Sequence, residues 1–171
     1  MKDQLGSFIG RLQPGWTVEC STDGYGVTVG WCVLETAGDL LPVAAAVKQA
    51  GGRLSTITAY QPKDANATVR EIAYHFDMDG DTLTVTVRLP RLGAEIDSLT
   101  PLFRNADWNE REFMELYDIQ VRNHPDPRRL FVDATVDPAI LDRLIPFSTM
   151  VNSASTKTLW ERIMAKTGGE Q

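Results

Sequence analysis

The chain has 171 residues, 43% of them hydrophobic, and a net charge of −6 at pH 7, which fits one soluble globular domain large enough to bury a real core. The acidic balance excludes a nucleic-acid binder, because neutralising phosphates takes clustered Lys and Arg and the longest basic cluster is Arg128-Arg129. No run approaches the roughly 20 apolar residues that span a bilayer, and the opening Met-Lys-Asp-Gln-Leu lacks the apolar core of a signal peptide, so a cytoplasmic chain is expected that meets a membrane only through a partner.

Residues 16–34 are expected to form a hairpin: Trp16 to Cys20 as one strand, a turn through Asp23-Gly24, and a second strand from Gly26 to Leu34. Asp39 is placed to cap the next helix and Pro42 fits its first turn. Leu40, Val43, Ala44 and Val47 recur at helical spacing until Gly51-Gly52 ends the run. Arg53 to Tyr60 is expected as a strand with an imperfect period, and 62–68 as a polar loop. Val69 to Phe76 and Thr82 to Leu89 form the clearest hairpin, with Leu83, Val85, Val87 and Leu89 on one face and Thr82, Thr84, Thr86 and Arg88 on the other. Pro90 stops that strand. Ser98 is expected to open a short helix through Leu99, Leu102 and Phe103, and a further helix follows from Asp107, which with Glu110 spells an Asp version of the capping box.

The next stretch, A-D-W-N-E-R-E-F-M-E-L-Y-D-I-Q-V-R-N-H-P-D-P-R-R-L-F over 106–131, is the most informative. On a helix, Phe113, Leu116 and Tyr117 make an apolar arc that Trp108 extends, yet Glu112 falls between Trp108 and Leu116. A charged carboxylate on that surface needs an Arg, a backbone donor or a partner protein, since unpaired it would cost several kcal/mol, roughly; Arg128 and Arg129 are the nearest candidates. Arg111, Glu115 and Asp118 share another face, where they can form a solvated ladder or meet a partner. Pro125 and Pro127 forbid helix, so 123–129 should be an extended, turned loop that returns the chain to a strand from Leu130 to Val132. Further on, Asp137-Pro138 starts a helix over 139–145, and residues from Ser153 cap a last one in which Leu159 pairs with Ile163 and Trp160 with Met164.

Other chemistries find little support. Cys20 and Cys32 with His75 and His124 cannot furnish a closed zinc or iron-sulfur site, and Cys32 reads as a small core residue. Glu110, Glu112 and Glu115 lie on one helix and cannot face each other across a glycosidic bond. Asp77-x-Asp79-Gly80-Asp81 begins like a calcium loop but has Arg88 at position twelve, and a hairpin turn already explains Asp-Gly. Phosphate-loop, dinucleotide and nucleophile-elbow motifs are missing.

The stretch 106–131 resembles the signature of the 30 kDa subunit family of respiratory complex I, the bacterial NADH:quinone oxidoreductase, with relatives in energy-converting hydrogenases. Glu110, Arg111, Glu112, Glu115, Leu116, His124, Arg128, Leu130 and Phe131 stand at the pattern's places, and Trp108 where the family has an aromatic. Tyr117 departs from it, and Asp118 and Asn123 stand where the family commonly has glycine, the latter before His124-Pro125. A looser likeness in element order covers 38–132. The resemblance implies an α+β two-layer sandwich, a mixed sheet with helices mainly on one face. One domain would span 1–171: an N-terminal hairpin addition (1–37), the family-like core (38–132) and a C-terminal helical extension (133–171).

It also implies an accessory scaffold subunit in the hydrophilic arm of such a complex, holding no cofactor itself. Its partners would be the large subunit with the quinone or nickel-iron site and neighbouring iron-sulfur subunits, on the cytoplasmic face of the inner membrane. Trp108, Glu110, Arg111, Glu112, Glu115, Leu116, His124, Pro125, Arg128, Arg129 and Leu130 are the expected signature and interface residues, with no catalytic or metal role. Two alternatives from other classes stand beside it: a small enzyme using His124 with Glu112 or Glu115 in a cleft, and an unrelated binding module whose signature match is coincidental.

Overall fold

Alternation and helical spacing resolve, in the computed structural model, into a five-stranded mixed sheet, with residues 4–11, 16–62, 68–131 and 139 described. A short helix α1 (Gln4–Ile9) precedes β1 (Val18–Thr22) and β2 (Thr28–Leu34). Helix α2 (Leu40–Gln49) leads to β3 (Arg53–Tyr60), β4 (Val69–Met78) and β5 (Asp81–Pro90). A short β6 (Glu95–Asp97), helix α3 (Ala106–Tyr117) and β7 (Gln120–Arg122) follow. The sheet order is β1-β2-β5-β4-β3, with β2 and β5 parallel and the other neighbours antiparallel. The expected α+β class, with helices against one face of a mixed sheet, is the one observed.

Sequence and packing agree closely in the central hairpin. Leu83, Val85, Val87 and Leu89 on β5 and Ile72, Tyr74, Phe76 and Met78 on β4 are all buried, each aliphatic side chain contributing roughly 1.5–3 kcal/mol on removal from water. Their strands are joined by Asp79 and Gly80, at φ 64° and 99°, the paired positive values that a two-residue type I′ turn requires. The carboxylates of the calcium-like spelling are consumed by the fold: Asp77 accepts from the Gly80 amide and Asp81 from the Thr28 amide. On β3, a register shift between Leu54 and Thr56 explains the imperfect period, because the bulge lets Leu54 and Ile57, three apart, both face the core.

On α2, Leu40, Val43, Ala44 and Val47 are the buried face. The Gly52 amide donates to the Val47 carbonyl and the Gly51 amide to that of Lys48, with Gly51 at φ 93°, a Schellman ending. The start differs from expectation. Asp39 does not cap; a 3₁₀ turn (Ala37–Asp39) precedes the helix and the Asp39 carboxylate accepts from the Thr36 hydroxyl instead.

Two other expectations are corrected. Ser98 to Phe103 is not a helix but a pair of turns closed by the Leu102 and Phe103 amides on the Leu99 carbonyl. No strand forms at Leu130 and Phe131; the returning strand is β7, which runs parallel to β6 and pins Asp97 and Glu95 through Arg122. Helix α1, with Leu5 and Phe8 buried, had no sequence expectation. Within the 62–68 loop, 63–67 lie outside the described residues, as do the expected C-terminal helices apart from Ala139.

Candidate functional site: the signature helix and its two loops

Helix α3 packs against β3 and presents its charged residues in three directions. Glu110, 0% exposed, looks toward the Ser98 turn. It accepts from the Ser98 hydroxyl at 2.6 Å, the Leu99 amide at 2.6 Å and the Thr100 hydroxyl at 2.8 Å. The expected capping role is therefore wrong: Asn105 occupies the cap position and sends its amide to the Leu54 carbonyl, while Glu110 ties α3 to the turn after β6. Three short donors make a buried charge tolerable where an apolar pocket would expel it.

Arg111 and Glu115 face the proline-stiffened loop. The Arg111 guanidinium donates to the carbonyls of Arg128 (2.7 Å) and Arg129 (2.9 Å) and lies 3.7 Å from Asp126. The Glu115 carboxylate, 4% exposed as a residue, accepts from the amides of Leu130 (3.2 Å) and Phe131 (2.9 Å). The expected solvated ladder is thus a clamp on loop backbone, and a cation for carbonyls beside an anion for amides fixes the loop's polarity as well as its position. Arg128 spends its own guanidinium on Asp126, two residues away, and this contact holds the Asp126 carboxyl well below the usual carboxylate range.

His124 bridges both sides. Its Nδ1 accepts from the Asp126 amide at 3.0 Å, which places the ring proton on Nε2. That atom lies 3.4 Å from Asp107 and 3.5 Å from Glu110, and the side chain is wholly shielded from solvent. Close by, the buried Tyr74 hydroxyl has its ionisation pushed well up, by burial first and then by the Glu110 charge. His124 accordingly meets Glu110 and Asp107, not Glu112 or Glu115.

Glu112 points elsewhere. Of the expected partners, Arg128 pairs with Asp126 instead, and no ion pair joins Glu112 to Arg129 among the described residues. Glu112 instead lines a groove between α3 and β3, with Ile57, Ala59, Phe113 and Leu116 among its neighbours. Trp108, one turn earlier, is 64% exposed, so it extends the apolar row into solvent and not into the core.

Arg70 escaped the sequence reading. It is 0% exposed on β4, donates to the Tyr117 carbonyl at 2.7 Å and to the Arg91 carbonyl at 3.3 Å, and stacks 4.7 Å from the Tyr117 ring. A cation thereby closes the C-terminal end of α3, where the helix dipole favours one. The available signal was its place in the inward series Arg70, Ile72, Tyr74, Phe76. Asp118 and Asn123, standing where the resemblance expects glycine, have φ of 54° and 60°, a left-handed backbone that Asp and Asn tolerate better than other side chains.

The fold is an α+β sandwich whose helix α3 is tied by its own charged side chains to two loops. The model of the family described as respiratory-chain NADH dehydrogenase, 30 Kd subunit, matches residues 34–151, and the chain belongs to that family. The match is not a coincidence of spelling. Among curated relatives, a subunit of the F(420)H(2) dehydrogenase of Methanosarcina mazei is 46% identical over 48 residues, 28% of this chain and 30% of the relative. A subunit of the NADH-quinone oxidoreductase of Neisseria meningitidis serogroup B is 42% identical over 38 residues, 22% of this chain and 19% of the relative. These alignments span less than a third of the relatives' length. In solved structures, a trypsin-resistant fragment of Nqo5 superposes with a TM-score of 0.55 at 22% identity, covering 71% of this chain and 95% of the fragment. A chain in the membrane-bound sulfane sulfur reductase, an archaeal respiratory membrane complex, gives 0.56 at 15% identity, covering 77% and 76%. Both share the fold. Among the described residues, no helix is long and apolar enough to cross a membrane, and no group of His, Cys, Asp and Glu is placed to hold a metal ion.

Proposed function

We propose that this chain is a non-catalytic accessory subunit in the hydrophilic arm of a complex I-like NADH:quinone oxidoreductase or a related energy-converting hydrogenase. Its task is to hold the large redox subunit and neighbouring iron-sulfur subunits in fixed geometry. The observation that carries this reading is how the signature's charges are spent. Glu110, Arg111 and Glu115 are engaged by loop backbone and hydroxyls, and His124 by the Asp126 amide, which supports a structural use of these charges over a catalytic one. Electron transfer depends on fixed distances between centres, and a helix locked at both loops is a rigid brace for that purpose. Trp108, Leu116, Pro125 and Leu130 would supply apolar surface to the contact, and association with the cytoplasmic face of the membrane would follow from the partners.

The test is affinity purification of the tagged full chain from its native host under mild detergent, with mass spectrometry of what accompanies it. Stoichiometric recovery of a large redox subunit and iron-sulfur subunits is expected. A chain that emerges alone and turns over a small molecule would refute the proposal.

A further inference from the structure

One signature charge is not used by the fold. Glu112 has no hydrogen bond or ion pair to any described residue, and it is the only charged side chain lining the groove of about 370 Å³ between α3 and β3. The other walls are Ile57, Ala59, Phe113, Leu116 and Tyr117 with the polar Thr56, Thr58 and Asn109. Solvent meets the half-buried carboxylate in the free chain, and a partner that covers the groove must replace that water with a cation or a hydrogen-bond donor. The nearby cations Arg111 and Arg128 are engaged by loop carbonyls and by Asp126.

The groove's second wall settles the form of the occupant. Strand β3 ends the sheet order, so among the described residues one side of its backbone has no strand neighbour, a template for pairing with an extended chain. Helix α3 satisfies only part of that edge: Asn105 reaches the Leu54 carbonyl at 2.8 Å, and Asn109 reaches that of Ile57 at a long 3.5 Å. From Ile57 to Ala59 the edge borders the groove. Exposed Trp108 stands at the N-terminal end of the same helical row, the kind of aromatic anchor that interface centres favour.

We infer that this groove receives an extended segment of a neighbouring subunit carrying a Lys or Arg, whose backbone lies along β3 and whose cation pairs with Glu112. The inference rests on the assembly reading above and names the chemistry of one contact within it. Association would desolvate the pair, so loss of the charge would weaken the contact by about tenfold or more.

The experiment places a photoreactive benzoylphenylalanine at Thr58 of the full chain in its native host, irradiates the purified complex and sequences the cross-linked peptide. The expected product joins Thr58 to another subunit within three residues or so of a Lys or Arg, and its yield falls about tenfold in Glu112→Lys but survives in Glu112→Asp. The inference is overturned by a cross-link only to this chain or a second copy, by a yield indifferent to Glu112→Lys, or by no cross-link in a complex that still co-purifies. In that last case the assembly reading stands; a chain that co-purifies with no subunit would overturn both.

Discussion

Burying the Glu110 carboxylate is tolerable because two hydroxyls and a backbone amide surround it within 2.8 Å, and removing that charge would strand donors which have no water to turn to. Glu110→Gln keeps the shape but presents an amide to those donors, so unfolding free energy should fall by about 2–4 kcal/mol. Glu112→Gln, altering a group outside the clamp, should stay within about 0.5 kcal/mol in the isolated chain. Urea melts of the two variants check this, and equal losses would contradict the division of roles. A second residue-scale expectation concerns Asp118 and Asn123, whose side chains are exposed and held in the left-handed region. Asp118→Gly should raise stability by a few tenths to about 1 kcal/mol, whereas Asp118→Val should lower it; thermal melts showing the reverse order would exclude backbone strain at that position.

Each element owes its place to a local signal, and the Schellman ending of α2 is the most exacting. A Cβ on Gly52 would come 2.5 Å from the Met78 sulfur and 2.6 Å from Val47 Cγ1, so Gly52→Ala must displace those side chains at the α2–β4 contact and should cost about 1–3 kcal/mol. A melt unchanged from wild type would mean that the α2–β4 contact is looser than described. The same elements show what the sequence could and could not disclose. Leu83, Val85, Val87 and Leu89 alternate against threonines, so β5 was legible outright, as was the α2 face, because period alone decides which side is buried. The role of Glu110 was not legible: its partners Ser98 and Thr100 lie ten or more positions away and are brought near only when β6 and β7 pair. Spacing to Asp107 suggested a cap, yet a local hydrogen bond lost to a tertiary one. Arg70 stayed hidden for a related reason, since a buried guanidinium makes sense only once the carbonyl end of α3 lies above it. The apolar row around Glu112 was legible from helical spacing, but its expected partner Arg128 is spent on Asp126, a contact that spacing along α3 does not reveal.

For the whole molecule, several carboxylates and one histidine bias stability the same way with pH. Glu71 is held below its ordinary value by the Tyr60 hydroxyl and then Arg88, Asp77 by the Gly80 amide and then Arg53, and Asp126 by Arg128. Each depressed carboxylate contributes stability above its unfolded value, near 4, which is lost as pH falls through the folded one. Burial lowers His75 as well, so its unfolded form takes up a proton first and stability begins to decline below about 6.5. Urea midpoints should therefore decrease steadily from pH 7 to pH 3, and His75→Gln should flatten the portion between pH 5 and 7. A midpoint that rises on acidification would contradict these assignments.

At this scale the proposed role is that of a brace: a sheet positions one helix, and that helix's charges hold two loops so that a neighbouring subunit would meet a rigid face. The most direct measurement is donor-to-acceptor activity per assembled complex in hosts carrying Arg111→Ala or Glu115→Gln, with the amount of complex quantified on native gels. The account predicts that complex abundance falls several-fold while turnover per assembled complex stays at the wild-type value. Full abundance and stability with lost turnover would contradict it.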